Sequence, residues 1–301
     1  MATQNDVSHD DRYKIIHDHG FVGFIDHMGS DEDVEEAARV SYGGGTRKVS
    51  ETRNLVRYLM KHRHTSPFEM CEVKFHLKVP IFVMRQLVRH RTASLNEYSG
   101  RYSVMTDEFY IPELDYIQSQ SQTNKQGREE NAWTKYEKIE LQRAFRRQSF
   151  NSYKEYKKLL KQNLSREISR TLLPVSNYTE LYWKIDIHNF LHFASLRADS
   201  HAQKEIQDYA IAMYDLVKPK FPLIFEAYED YARYGVKLSK MEKEIVKDAL
   251  NGKEIQDRKH YNMSKREWEE FWNKFTKNEK EVIGFIDRVI IDRDSTEFKS
   301  S

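Results

Sequence analysis

Cysteine is nearly absent: the 301-residue chain carries one, Cys71. A single thiol excludes an internal disulfide framework and any cysteine-based zinc cluster. Glycine and proline are scarce at 11 and 6 residues. Together they make 17 of 301 positions, about half the usual usage of roughly 12%. That scarcity argues against collagen-like, linker-rich or many-turned all-β architectures. The glycines form neither G-x-G-x-x-G nor G-x-x-x-x-G-K-[ST], which excludes a standard Rossmann turn or P-loop. Long apolar runs are missing. VPIFVM at 79–84 is far short of the ~18 residues that span a bilayer. MATQNDVSHDDRYK at the start has no apolar core of a secretory signal. The cytoplasm is the expected location, with no membrane contact. An excess of one charge is also missing. Forty-nine Lys and Arg face 47 Asp and Glu, net +2, so no whole-molecule field points to nucleic acid. Any anion site must come from local clustering.

What is present is a core-forming chain. Hydrophobic residues make up 39% and charged residues 32%. The 18 Tyr, 16 Phe and 4 Trp are too many for a disordered chain. Length allows two domains, or one domain with an extension. Residues 1–12 are polar and expected to fray. Two short strands are expected around Gly20 and Gly23. Ser30 with Asp33 resembles a capping box opening a helix to Tyr42, ended by Gly43–Gly45. Ser50 caps a second helix over 51–62. In CEVKFHLKV at 71–79, Cys71, Val73, Phe75, Leu77 and Val79 share one face of a strand and Glu72, Lys74, His76 and Lys78 the other. Cys71 therefore reads as an inert core thiol. Pro80 opens a helix over 81–91, followed by a polar loop over 92–101. The Gln/Ser/Asn-rich stretch 114–131 reads as an exposed insertion, and 132–162 as a long helix. Ser165 caps a short helix stopped by Pro174, and 187–197 is helical. Ser200 with Gln203 marks another capping box, and a further helix runs from about 223 to 233. Past 236 the chain becomes Lys/Glu-rich, with capping boxes at Ser239/Glu242 and Ser264/Glu267. It reads as a helical C-terminal extension, 236–301.

The densest chemistry lies in RQLVRHRTASLNEYSGR at 85–101. Arg85, Arg89, Arg91 and Arg101 face one acid, Glu97. Guanidinium forks grip phosphates, and hydroxyls and loop amides add neutral donors. A solvated basic helix end is the competing reading; interleaved Ser, Asn and Gly favour an organic phosphate. A second cluster, 182–207, holds Asp186, His188, His192, Arg197, Asp199 and His201. His188 and His192 have the i,i+4 spacing of two metal ligands. No H-E-x-x-H accompanies them, so packing or ligand contact is favoured and no metal is expected. Arg197, after an apolar helix, reads as a ligand contact or a buried ion pair. His62 and His64 in a third cluster, and the lone Arg170, have equally bland explanations in the helix dipole and solvation.

Arg89-His90-Arg91, seven residues, then Ser99 resembles the RHR-x7-S signature of flavin-dependent thymidylate synthases. GRYS at 100–103, HTSPFE at 64–69, VPIFVMRQ at 79–86, EFYIP at 108–112 and LRADSHAQ at 196–203 extend the likeness across 13–235. The resemblance implies a non-Rossmann α+β fold with a central sheet flanked by helices. It implies a homotetramer with sites shared between subunits. It implies methylation of dUMP to dTMP, with 5,10-methylenetetrahydrofolate as carbon donor and NADPH reducing FAD. Carried over by position, FAD would meet His64, Ser66, Arg89, His90, Arg91, Glu97, Asp186, Ile187, His188 and His192. The substrate dUMP would meet Gln86, Leu87, Val88, Arg89, Glu97, Tyr98, Ser99, Gly100, Arg101, Arg170 and Arg197. Arg197 would be catalytic, a cation where negative charge develops on the uracil. Such chemistry needs no enzymic cysteine, in keeping with a core-facing Cys71. Asp186-Ile187-His188 departs from the Asn-x-Arg of many members. Alternatives from other classes are a nucleic-acid-binding module gripping through 85–101 and 47–63, and a histidine-based metal hydrolase.

Overall fold

The computed structural model describes residues 1–40, 51–122, 127–129 and 133–275. The expected helix end at Gly43–Gly45 and the Ser50 cap lie outside the described residues. The chain divides into two compact units, Met1–Arg233 and Tyr234–Ser301.

The first unit is α+β. The polar N-terminal stretch carries a one-turn helix, α1 (Gln4–Val7), closed by a capping box at Thr3. Strands β1 (Tyr13–Ile16) and β2 (Gly20–Met28) follow. Helix α2 (Asp31–Arg39) is capped by Ser30, and α3 (Thr52–His62) begins after Glu51. Strand β3 (Glu72–Pro80) runs directly into α4 (Ile81–Leu87). The proline at the junction has the extended ψ of a helix cap, 145°. Helix α4 stops at Leu87 rather than Arg91, so Arg89 and His90 sit in the turn beyond it. The expected loop 92–101 contains an edge strand, β4 (Ser94–Glu97). Part of the 114–131 insertion is a small hairpin, β5 (Ser119–Gln120) with β6 (Arg128–Glu129). Helix α5 (Lys135–Lys161) has a capping box at Thr134, and α6 (Arg166–Ser169) follows. Strand β7 (Tyr178–Asp186) was not anticipated, although Leu181, Trp183 and Ile185 alternate inward. Helices α7 (Ile187–Arg197), α8 (Lys204–Val217) and α9 (Pro222–Tyr228) complete the unit. A π-helical turn, Glu229–Arg233, extends α9. The residue capping α8 is Gln203, not Ser200.

The main sheet is antiparallel with order β1-β2-β3-β7-β4. Strands β3 and β7 pair along their whole length, from Glu72↔Asp186 to Pro80↔Tyr178. Helix α7 covers one face, where Phe75 packs on Phe190 at 5.7 Å and Trp183 on Phe193 at 5.2 Å. On the opposite face of β3 the polar His76 and Lys78 are buried. The N-terminal segment explains this. Tyr13 bonds His76 Nδ1 at 3.0 Å, and Lys78 Nζ donates to Ala2 O at 2.6 Å and Glu108 at 2.8 Å. Buried polar groups persist when every such group finds a partner.

The second unit, within its described residues, contains α10 (Lys240–Leu250) and α11 (Lys265–Asn273). Both begin in the expected capping boxes, at Ser239 and Ser264. Ile245, Tyr261, Met263 and Phe271 form its small core, with Trp268 and Trp272 packed against them. Among the described residues no helix is long and apolar enough to cross a membrane.

Candidate active site

A turn, a helix and the end of β7, through Ile185, build a cationic cleft of about 490 Å3. The turn after α4 supplies Arg89, His90, Arg91 and Thr92; α7 supplies Asn189, His192, Leu196 and Arg197. Positions 189, 192 and 196 fall on one helical stripe, which aims them together. The opposite stripe of α7, Phe190, Phe193 and Ala194, is buried in the core, so the stripe facing the cleft is fixed by packing.

Electrostatics in the cleft are unbalanced. Among the described residues, no carboxylate pairs with Arg89, Arg91 or Arg197 in an ion pair. Burial, then the nearby charge of Arg89, lowers the pKa of Arg197 below its ordinary value. Arg197 Nε donates to His90 Nε2 at 3.2 Å. Burial, then the charges of Arg197 and His192, push the pKa of His90 down to about 4. His90 is thus a neutral imidazole whose Nε2 accepts, and its proton sits on Nδ1. A cation cluster without its own anion, half-buried at Arg197 and His90 and open to solvent at Arg89 and Arg91, can take one.

A second group forms around Gly100. A Cβ there would lie 2.9 Å from Met105 Sδ and 3.2 Å from Arg170 Cδ, so Gly100 packs closely against these two side chains. Arg101 pairs loosely with Glu167 at 3.5 Å, and Ser99 Oγ accepts from Arg101 N. Tyr98 donates its hydroxyl to Val104 O, and Glu97 accepts from Thr179 Oγ1 at 2.7 Å.

The remaining expected residues fall elsewhere. His64 follows the left-handed Arg63 that ends α3 and stacks on Tyr58; Ser66 is exposed in the next turn. Leu87 and Ile187 are core residues, while Val88 is exposed. The Asp186 carboxylate is taken up in capping α7: it accepts from Asn189 N at 2.9 Å and Asn189 Nδ2 at 2.8 Å. His188 does not line the cleft. Gln86 meets Gln203, donating through Nε2 at 2.6 Å. Arg85 and Arg89 do not share a helix face, because α4 has ended before Arg89.

The thymidylate synthase complementing protein family model matches residues 24–223. A flavin-dependent thymidylate synthase of Ehrlichia ruminantium (strain Welgevonden) is 49% identical over 266 residues, 88% of each chain. The chain belongs to the flavin-dependent thymidylate synthase family. The member from Dictyostelium discoideum is 47% identical over 255 residues, 80% of this chain and 84% of its own. Among solved structures, the UMP/dUMP methylase PolB from Streptomyces cacaoi, bound with 5-Br dUMP, has a TM-score of 0.66 at 32% identity. It aligns over 73% of this chain and 99% of its own. The α+β fold expected from the sequence is that of this family, and the chain is an enzyme of this type.

Flavin-dependent thymidylate synthases take their name from a flavin, and the cleft fits one on its own chemistry. Arg89, Arg91 and Arg197, without a carboxylate partner among the described residues, suit an anionic cofactor, with His192 and the neutral His90 beside them. Asn189, Thr92, Ile185 and Leu196 line the same cleft and were not anticipated. The spacing of Asn189, His192 and Leu196 could have revealed the first and last. Among the described residues, no group of three or more His, Cys, Asp or Glu converges as a metal site would.

Proposed function

We propose that this protein methylates dUMP to dTMP, taking its carbon from 5,10-methylenetetrahydrofolate and its reducing equivalents from NADPH through FAD. The observation that carries the reading is the cleft in which Arg89, Arg91 and Arg197, without carboxylate partners among the described residues, surround neutral His90. In this reading Arg89, His90, Arg91 and His192 hold FAD, with His64, Ser66, Glu97 and the 186–188 stretch contributing. When bound, the flavin supplies hydride to the nascent methyl group. Arg197 faces the uracil and stabilises the negative charge that develops there. His90 orients it: by accepting from Nε, the imidazole leaves the two terminal guanidinium nitrogens for the substrate. Gln86, Ser99, Gly100, Arg101 and Arg170 hold the nucleotide, Ser99 as a ligand contact and not as a nucleophile.

Cys71 takes no part. Its thiol is fully buried, donates to Ser30 O at 3.5 Å, and is pushed up to about 11 by burial and by Asp33 and Asp31. A thiol so protonated and enclosed is a poor nucleophile. The nucleotide-holding residues lie in separate groups of one chain, Arg89 and Arg197 in the cleft, Gly100 and Arg170 beside Met105, and Arg101 beside Glu167. A homotetramer whose sites draw on two subunits accounts for that separation. We assign the chemistry to 13–235, treat 236–301 as an extension, and place the enzyme in the cytoplasm.

The test is complementation of a thymidine auxotroph. The wild-type chain is expected to restore growth without thymidine, and Arg197→Ala to fail despite equal expression. Rescue by both would remove Arg197 from catalysis; rescue by neither would remove the activity.

A further inference from the structure

The insertion hairpin β5–β6 reaches a buried carboxylate. Arg128 Nη2 donates to both oxygens of Glu205, at 2.7 and 2.6 Å, and Arg128 Nη1 donates to Tyr116 O at 3.2 Å. The Glu205 side chain is 2% exposed. Tyr110 donates its hydroxyl to Glu205 Oε1 at 2.9 Å. Burial opposes ionisation of Glu205, but bonding to Arg128 and its charge outweigh burial and the pKa is lowered. Glu205 is therefore an ionised, accept-only group.

That fixes a direction along a hydrogen-bond chain. Gln203 must turn its amide nitrogen to Glu205, and Nε2 donates to Oε2 at 2.9 Å. Its carbonyl then faces away, and accepts from Gln86 Nε2 at 2.6 Å. Gln86 is left presenting its own carbonyl oxygen and one N–H outward. A protonated or displaced Glu205 would release Gln203 to flip, and Gln86 with it.

Resting on the thymidylate reading above, we infer that Arg128 and Glu205 are positioning residues for the nucleotide: through Gln203 they set which way the Gln86 amide points. The chain Arg128–Glu205–Gln203–Gln86 links an insertion at the surface to a substrate contact. The group Gln86 faces on the ligand is then a hydrogen-bond donor paired with an acceptor, as the imide edge of a uracil base offers.

The test uses the full FAD-loaded chain and measures dUMP affinity by calorimetry beside steady-state tritium release from 5-tritiated dUMP. Arg128→Ala and Gln203→Ala are each expected to raise Kd and KM for dUMP about tenfold with kcat within about twofold. The double variant should be no worse than either single one, because both cut one chain. Arg128→Lys keeps Glu205 ionised and should recover most of the affinity. An unchanged Kd in Gln203→Ala overturns the inference, even where Arg128→Ala fails to fold. Full additivity of the two substitutions also overturns it, since Arg128 would then act by a route that does not pass through Gln203. A wild-type protein that releases no tritium refutes the thymidylate reading instead; native dUMP affinity in both variants of an active enzyme refutes the relay alone.

Discussion

His90 and Arg197 show how one hydrogen bond sets the state of two groups. The guanidinium is always charged, so Nε can only donate and His90 Nε2 can only accept. With its pKa near 4, His90 stays neutral at physiological pH. Free histidine titrates at about 6.5. As pH falls from there towards about 4, the unfolded chain binds a proton that the folded chain refuses, and stability declines over that window. In the flavin-free protein, nuclear magnetic resonance of His90 should give a midpoint near 4 and the Nδ1-protonated tautomer at neutral pH. A midpoint at or above about 6.5 would contradict the geometry. Much of this residue-level picture was legible in the sequence: Arg89, His90, Arg91, His192 and Arg197 were all singled out, and the cleft joins them. The His90–Arg197 bond was not legible, because it joins residues 107 positions apart.

At the scale of elements, α7 carries the site and Asp186 starts it. The departure from asparagine at that position is accommodated, since either side chain can accept at a helix N-cap. Asp186→Ala should cost about 1 kcal/mol of unfolding free energy, and Asp186→Asn only a few tenths. Urea titration measures both; equal losses would mean that the cap contributes nothing beyond solvation. The expected capping boxes at Ser239 and Ser264 formed, because they are local signals settled within four residues. Strand β4 does not show in the sequence because an exposed edge strand lacks a hydrophobic face. Its identity comes from pairing with β7, register Ser94↔Lys184 to Glu97↔Leu181. The same long-range pairing hid the burial of Lys78: nothing near it in sequence shows that Ala2 and Glu108 will meet its ammonium.

For the whole molecule, scarcity of cysteine and glycine has become a statement about mechanism. The only thiol is enclosed between β3 and the Gly29–Ser30 turn, where a Cβ on Gly29 would stand 2.6 Å from Cys71 Sγ. The cationic cleft is built from a turn and a helix stripe instead of a glycine-rich loop. Its conformation depends on packing of α7 against the sheet, which no local motif encodes. The central claim is thymidylate synthesis in that cleft without an enzymic cysteine. Tritium release from 5-tritiated dUMP by the FAD-loaded protein tests it most directly. Release should require NADPH and 5,10-methylenetetrahydrofolate, persist within about twofold in Cys71→Ala, and fall by about a hundredfold or more in Arg197→Ala. Release abolished in a folded Cys71→Ala, or undiminished in Arg197→Ala, would contradict it.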